Sequence, residues 1–211
     1  MHPNPTFRQT PDAEALAVAR QRSFGILSIN GDTAPLTAHI PFAIADDGHS
    51  LTAHLVASNP IWRAVSDGPK PALVSISGPD AYISPDWYGL EDQVPTWNYV
   101  AVNLRGTLSA LPQEDLRVVL ETLSDQFETR LAPKPVWKTD KVSPDALARM
   151  QRQIRPVTMT IEGIESTLKL GQNKPEAARQ GAVDGLGTSA IGQEVAALTA
   201  LMRQTLNDVE G

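Results

Sequence analysis

Alternation of apolar and polar residues dominates the first half of the chain. A period of two predicts β-strands in five stretches, at 24–30, 36–45, 51–57, 72–77 and 98–108. Turn-forming pairs separate them, among them Asn30-Gly31 and Asp47-Gly48. A further pair, Gly78-Pro79, predicts a turn before a short strand at 81–84. Many short strands joined by tight turns are typical of a small antiparallel barrel or sandwich.

Helical periodicity takes over in the second half. We predict helices in four places, at 12–21, after the N-cap residue Asn59, from 113 onward and from 143 to about 154. Strand-like alternation returns at 157–162 and 164–170. The run 177–189, rich in alanine and glycine, predicts loosely ordered chain, and 191–202 predicts a last amphipathic helix that packs on a partner subunit. The expected fold class is mainly β with peripheral helices (α+β).

The segment 82–106 concentrates aromatic side chains. All three tyrosines and two of the four tryptophans lie between Tyr82 and Tyr99, interspersed with Pro85, Gly89 and Pro95. These prolines and the glycine disfavour a regular helix, so we predict a stiff loop that leads into a strand. Such a loop either forms the wall of a binding site or covers one end of a barrel, and the residues leave both interpretations open.

Two histidines lie in the middle of a predicted hairpin. The sequence LTAH occurs at 36–39 and again at 51–54, on either side of Asp47-Gly48. If these two residues form the loop, the numbers of paired residues sum to 95, which places His39 and His54 on one face of the sheet. No carboxylate lies near them in these strands, so we expect no metal site and favour a hydrogen-bonded or ligand-contacting role.

Three further polar groups are candidates for ligand contact. Ser58-Asn59 precedes a helix that begins with Pro60, where exposed N–H groups suit a phosphate, although plain capping needs no ligand. The triplet Trp97-Asn98-Tyr99 can supply a stacking ring and an amide, or it packs at a strand entry. The polar residues of KLGQN at 169–173 either close over an anion or solvate a turn.

Composition restricts the possible functions. The net charge of −6 and a pI of about 5.2 disfavour a broad electrostatic grip on nucleic acid, so direct DNA binding has little support. Absence of cysteine excludes disulfides and thiolate metal sites. No signal peptide and no membrane-spanning run of roughly 18 apolar residues is present, so we expect a cytoplasmic protein. Nucleotide-binding motifs of the GxGxxG and GxxxxGK[ST] types are also absent.

Five segments together resemble the PaiB-like family of FMN-binding negative transcriptional regulators. In chain order they are TAHIP at 37–41, AHLVASNPIW at 53–62, YISPDWY at 82–88, VPTWNYVAVNLRG at 94–106 and KLGQN at 169–173. The resemblance extends to about residue 180. It implies a split β-barrel of the flavin-reductase and pyridoxamine-oxidase type, which is a homodimer with FMN near the subunit interface. The implied domain spans 1–180, with a helical insertion at about 113–154 and a C-terminal helical arm at 181–211.

The resemblance also implies which residues contact FMN. The strand that carries Thr37 and His39 would line the flavin, and residues between His54 and Trp62 would hold the ribityl chain or the phosphate. The aromatic segment and KLGQN would supply the remaining contacts. The twelve residues are Thr37, His39, His54, Ser58, Asn59, Trp62, Trp97, Asn98, Tyr99, Lys169, Gln172 and Asn173. The chain departs from the family pattern at Asn103, where histidine is usual, and at Gly171, where serine is usual.

These inferences lead to three hypotheses of function. The first is a dimeric, FMN-binding regulatory protein. The second is a small FMN-dependent oxidoreductase, because flavin itself supplies hydride chemistry, although we find no NAD(P)H fingerprint. The third is a cofactor-free scaffold that binds another protein through its last helix.

Overall fold

The computed structural model describes residues 1–207, which form seven β-strands and six α-helices. The strands are β1 (Phe24–Ile29), β2 (Leu36–Ile44), β3 (Ser50–Val56), β4 (Lys70–Ile83), β5 (Thr96–Ala110), β6 (Ile154–Lys169) and β7 (Gly192–Gln193). They form one sheet in the order β1-β2-β3-β6-β5-β4-β7, and β1 also pairs with β4. The second pairing closes six strands into a barrel. The prediction of a mainly β fold with peripheral helices is confirmed.

The helices lie close to their predicted positions, with one addition. They are α1 (Asp12–Arg22), α2 (Pro60–Ser66), α3 (Leu116–Glu128), α4 (Pro144–Gln151), α5 (Glu176–Thr188) and α6 (Val195–Asn207). Asn59 is the N-cap of α2, as predicted. The added helix is α5, which occupies the run predicted to be loosely ordered, so that prediction is wrong.

The chain divides into two compact units, which we call the barrel unit and the terminal unit. The barrel unit comprises Ala19–Ile76 and Asn103–Ile164. The terminal unit comprises Met1–Val18, Ser77–Val102 and the chain from Glu165 onward. The first three strands belong wholly to the barrel unit, whereas β4, β5 and β6 contribute residues to both.

Apolar side chains fill the inner face of the barrel unit. Along the first three strands, buried residues alternate with more exposed ones, as a sheet with one face in a core requires. Burial of each large apolar side chain contributes about 1.5–3 kcal/mol to stability. Those with almost no exposed surface include Leu27, Phe42, Leu51, Ile76 and Met159.

The β2–β3 hairpin has the register that the turn predicted. In each of the three pairs from Phe42–Ala53 to Ile44–Leu51, the residue numbers sum to 95. Because side chains alternate along each strand, His39 and His54 share the face opposite the buried Phe42. The prediction that both histidines lie on one face is confirmed.

Helix α3 covers one part of this outward face. Val119 and Leu123 pack with Ala43 in a small buried cluster, and Nε2 of Gln126 donates to the carbonyl oxygen of Phe42 at 3.2 Å. The earlier part of β2, which carries Thr37 and His39, is exposed. The covering helix therefore leaves a polar portion of the sheet open.

Strand β4 runs straight through Gly78-Pro79, where the sequence predicted a turn, so that prediction is wrong. Both residues are buried, and a Cβ added at Gly78 would lie 2.8 Å from the Cβ of Val100. Close approach of another strand, and not a change of chain direction, explains the glycine. Strand β6 is likewise continuous where two separate pieces were predicted.

Glycines of α5 allow this helix to pack closely on a short 3₁₀ helix, Pro85–Tyr88. A Cβ added at Gly181 would lie 2.2 Å from the carbonyl oxygen of Trp87, and one at Gly185 would lie 2.3 Å from the indole ring. Small residues at these two positions are therefore a packing requirement. Their composition suggested flexible chain because periodicity alone does not reveal what a helix packs against.

Helix α6 buries its apolar side within the terminal unit. Leu198 and Met202 are almost fully buried, and they belong to a core that includes Ala182 of α5 and Ile83 of β4. The part of the predicted stripe at Leu198 and Met202 is thus covered by the chain itself, whereas Ile191 lies before the helix and is 64% exposed.

Replacing Gly181 by alanine should destabilise the protein by about 1–3 kcal/mol, because the added methyl group collides with the backbone of Trp87. The matched control is Gly187→Ala in the same helix, since nothing lies within 4 Å of the Cβ added there. That change should stabilise the protein by about 0.5–1 kcal/mol. Urea unfolding measures both, and equal free energies of unfolding for the two variants would contradict a packing role for Gly181.

Candidate functional site

The twelve residues predicted to contact FMN divide equally between the two units. Six lie in the barrel unit, namely Thr37, His39, His54, Ser58, Asn59 and Trp62. Six lie in the terminal unit, namely Trp97, Asn98, Tyr99, Lys169, Gln172 and Asn173. Each unit therefore holds its own candidate site.

In the barrel unit, the open part of the outward sheet face carries both histidines. The imidazole of His39 is exposed and stacks on the ring of Phe24, with centroids 6.4 Å apart and an interplanar angle of 30°. Phe24 itself is 54% exposed. An apolar ring, an imidazole and the hydroxyl of Thr37 thus lie on a surface accessible to a ligand.

His54 differs from His39 because it is half-buried. Its Nδ1 atom is buried without a hydrogen-bond partner among the described residues, and its cross-strand neighbour is Pro156, which has no N–H to donate. Burial lowers the pKa of His54 below the ordinary value for histidine, so the ring is neutral at neutral pH. A buried polar atom without a partner is rare in folded proteins, which makes His54 a candidate for ligand contact.

The Ser58-Asn59 corner serves mainly as a helix cap. The side-chain oxygen of Asn59 accepts a hydrogen bond from the backbone N–H of Ile61 at 2.8 Å, and its carbonyl oxygen accepts from the N–H of Arg63 at 3.3 Å. The first helical residue, Pro60, has no N–H. Capping therefore accounts for Asn59, whereas Ser58 is exposed and Trp62 half-buried.

The terminal unit contains a cavity of about 350 Å³, which we call the lysine cavity. Three of the predicted residues line it, namely Asn98, Lys169 and Asn173. The residues on either side of Asn98 do not line this cavity, because side chains alternate between the two faces of β5. Trp97 and Tyr99 point to the other face of the strand and line a separate groove beside Ser77 and Asp80.

Two ammonium groups dominate the charge of the lysine cavity. Nζ of Lys169 donates to Oγ1 of Thr96, and Nζ of Lys174 donates to Oε1 of Gln93. Burial, followed by the nearby charge of Lys174, lowers the pKa of Lys169. Both acceptors are uncharged, so neither of these hydrogen bonds neutralises a lysine.

Residues near the amino terminus form one wall of this cavity, and no sequence pattern beyond two prolines indicated them. The backbone N–H of His2 donates to Oγ1 of Thr167 at 3.2 Å, and Nδ1 of His2 accepts from the N–H of Asn4 at 3.1 Å. The imidazole meets the ring of Phe7 edge-on, with centroids 4.8 Å apart. Burial and the charge of Lys169 lower the pKa of His2, which favours the neutral ring.

Gln172 does not contribute its amide to the cavity. Its Oε1 accepts from the N–H of Leu170 at 2.7 Å, and its Nε2 donates to the carbonyl oxygen of Leu168 at 2.6 Å. These bonds fix the turn that follows β6. Gln172 therefore belongs to the turn, which was the second interpretation of KLGQN. Asn173 and Lys174 follow this turn and line the cavity.

A small cluster of buried polar groups surrounds Gly171. Asn98 has no exposed surface, and its Oδ1 accepts no hydrogen bond that we find within residues 1–207. Nε of Arg179, also buried, has no partner in the same range. A Cβ added at Gly171 would lie 3.6 Å from Nδ2 of Asn98 and 3.8 Å from Cγ of Arg179, which are ordinary contact distances.

Solved structures with the same architecture establish the class of this fold. The FAD and heme binding protein from Mycobacterium smegmatis matches with a TM-score of 0.58 at 19% identity, covering 88% of this chain and 82% of that one. The flavocytochrome Anf3 from Azotobacter vinelandii matches with a TM-score of 0.56 at 12% identity, covering 80% and 72%. The fold is the split barrel found in flavin-binding proteins, as predicted.

The sequence itself places the chain in a family. The protease synthase and sporulation protein PAI 2 of Bacillus subtilis is 33% identical over 172 residues, which is 81% of each protein. The model of the family described as "Putative FMN-binding domain" matches residues 1–163. The chain belongs to this family, and FMN is the cofactor that membership assigns, which confirms the predicted flavin.

Residues 1–207 contain no group of three histidine or acidic side chains arranged to hold a metal ion. Within the same range, no helix has the length and apolar character needed to cross a membrane.

Gly171→Ser and Gly171→Ala form a matched pair, because both introduce a side chain at the same left-handed φ of +83°. The serine variant should be more stable than the alanine variant by about 1 kcal/mol, since its hydroxyl oxygen can accept from Nδ2 of Asn98, whose present acceptor is the sulfur of Met202. Urea unfolding measures the difference. If the two variants unfold at the same concentration, no hydroxyl bond forms at this position.

The stability of the protein should fall as the pH drops below about 6.5, the ordinary pKa of histidine. Burial disfavours protonated His54 in the folded state, so below this pH the unfolded chain binds more protons than the folded chain. Added acid therefore stabilises the unfolded state relative to the folded state. His54→Gln should reduce this dependence, whereas His49→Gln, at an exposed turn, should retain it. Urea unfolding above and below this pH tests the difference, and identical slopes for both variants would contradict it.

Proposed function

We propose that the protein is a dimeric, FMN-binding regulatory protein of the PaiB type. Support for a regulatory role comes from the 33% identity to PAI 2 across 81% of both chains, since the name of that relative links it to protease synthesis and sporulation. The observation that carries the flavin site is the unpartnered Nδ1 of His54 on the outward face of the barrel unit.

We place FMN against this outward face, where the available groups fit its chemistry. A neutral His54 and the exposed hydroxyl of Ser58 can bond to ribityl hydroxyls or phosphate oxygens, because both can donate. Thr37, His39 and Trp62 would complete the set in the barrel unit, the last two offering flat rings. When bound, FMN supplies hydride and electron-transfer chemistry through its isoalloxazine ring.

Dimerisation is proposed through the same face. Phe24 is 54% exposed and Val56 is 55% exposed, and both lie on the outward side of the sheet, with Ile26 half-buried between strands. Exposed apolar residues grouped on one sheet face are typical of an interaction surface. A second copy covering this face would shield them and enclose the flavin.

The absorbance spectrum of the purified full-length protein, recorded with and without added FMN, tests the flavin site. His54→Gln should weaken FMN binding by about tenfold, the effect of losing one hydrogen bond to a charged group. His49→Gln, whose ring is exposed at the hairpin turn, should bind like the wild type. If His54→Gln binds FMN with unchanged affinity, the flavin does not bind against this face. If light scattering gives the molar mass of a monomer, the protein is not a dimer.

A regulatory role is tested separately from cofactor binding. A gel shift with DNA upstream of the protein's own gene should show salt-sensitive retention if contact with DNA is direct. Turnover of a reduced nicotinamide by the FMN-loaded protein, without any DNA retention, would favour the oxidoreductase over the regulator.

A further inference from the structure

The lysine cavity is a second site, built from residues of the terminal unit alone. We propose that it binds a small organic dianion that also carries a hydroxyl group, such as a phosphomonoester or a hydroxydicarboxylate. Three of its residues, Asn98, Lys169 and Asn173, are among the twelve that the resemblance assigns to FMN. The flavin site proposed above uses residues of the barrel unit alone, so the two sites can be tested separately.

Charge is the first reason for this ligand class. Lys169 and Lys174 both line the cavity, and Lys174 is close enough to disfavour the charge on Lys169. Against these two ammonium groups, the lining contains one carboxylate, that of Asp92, while His2 is neutral. A bound dianion would compensate the excess positive charge, and it would gain charge-assisted hydrogen bonds from both lysines.

The two lysines are held in place before any ligand arrives. The ammonium group of Lys169 lies 5.9 Å from the ring centroid of Phe7, and that of Lys174 lies 5.3 Å from the ring centroid of Tyr88. Cation–π contacts of this kind, together with the bonds to Thr96 and Gln93, restrict rotamers that a surface lysine would sample freely. Preorganised side chains lose less entropy on binding, which favours affinity.

The hydroxyl requirement comes from Asn98. Its side chain is completely buried, it lines the cavity, and its Oδ1 has no donor among the described residues. The other end of the amide has only a weak partner, since Nδ2 donates to the sulfur of Met202 at 3.6 Å. A ligand hydroxyl that donates to Oδ1 would remove the cost of this unpaired acceptor.

Size distinguishes this ligand from the flavin. A volume of about 350 Å³ lies near the lower limit of small-molecule pockets, which span about 300–1,000 Å³. It suits a ligand of few heavy atoms more than a three-ring isoalloxazine with a ribityl phosphate. The anionic group in the cavity could nevertheless belong to a free dianion or be the phosphate of FMN, so the experiment must distinguish these two sources.

Calorimetric titration of FMN-loaded protein separates these sources. Glycerol 3-phosphate or malate should bind, and succinate, which has the charges of malate but no hydroxyl, should bind at least about tenfold more weakly than malate. Lys169→Met and Lys174→Met, which retain the aliphatic stem, should each weaken binding of glycerol 3-phosphate or malate by about tenfold or more. The exposed Lys138→Met in the barrel unit is the control and should bind like the wild type.

Three results would overturn the proposal. The first is the absence of heat and of any thermal shift with both hydroxyl-bearing dianions. The second is equal binding by the lysine variants and the control, with thermal unfolding showing that all three are folded. The third is a loss of FMN affinity in Lys169→Met and Lys174→Met as large as their loss of dianion affinity, because the cavity would then belong to the flavin. Loss of FMN binding in His54→Gln alone leaves the dianion site unaffected.

Discussion

The two-residue pleat of the long strands is the constraint on which both candidate sites depend. Along β5, it directs Asn98 into the buried side of the terminal unit and Trp97 and Tyr99 to the opposite side. Along β2 and β3, it brings two histidines, separated by a turn, to one outward face. A shift of one residue in any of these strands would exchange its buried and exposed side chains. The strand register therefore determines which side chains each site contains.

Close approach between backbone segments is the second organising feature, and glycine makes it possible. Helix α5 lies against the backbone and ring of Trp87 because Gly181 and Gly185 carry no side chain. This contact helps to hold the 3₁₀ helix Pro85–Tyr88, whose last residue, Tyr88, faces Lys174. The close packing of α5 on Trp87 therefore helps to position one wall of the lysine cavity.

Unpartnered buried polar atoms distinguish the candidate sites from ordinary surface. Nδ1 of His54 in the barrel unit and Oδ1 of Asn98 in the terminal unit both lack a partner among the described residues. Each such atom costs about 1–3 kcal/mol when nothing bonds to it. These two atoms lie at the two places where we propose that a ligand binds.

The sequence by itself determined the first three strands, the hairpin register, the cap at Asn59 and membership in a flavin-binding family, because these depend on local periodicity, turn residues and motifs. It could not show that α5 is a helix, since the glycines of this helix pack against Trp87, a residue distant in the chain. Nor could it show that His2 and Phe7 join Lys169 at one cavity, because no local pattern encodes a contact across most of the chain. Tertiary structure also decided that the twelve predicted residues fall in two units, since only folding determines which side of a strand each side chain occupies and what it meets there.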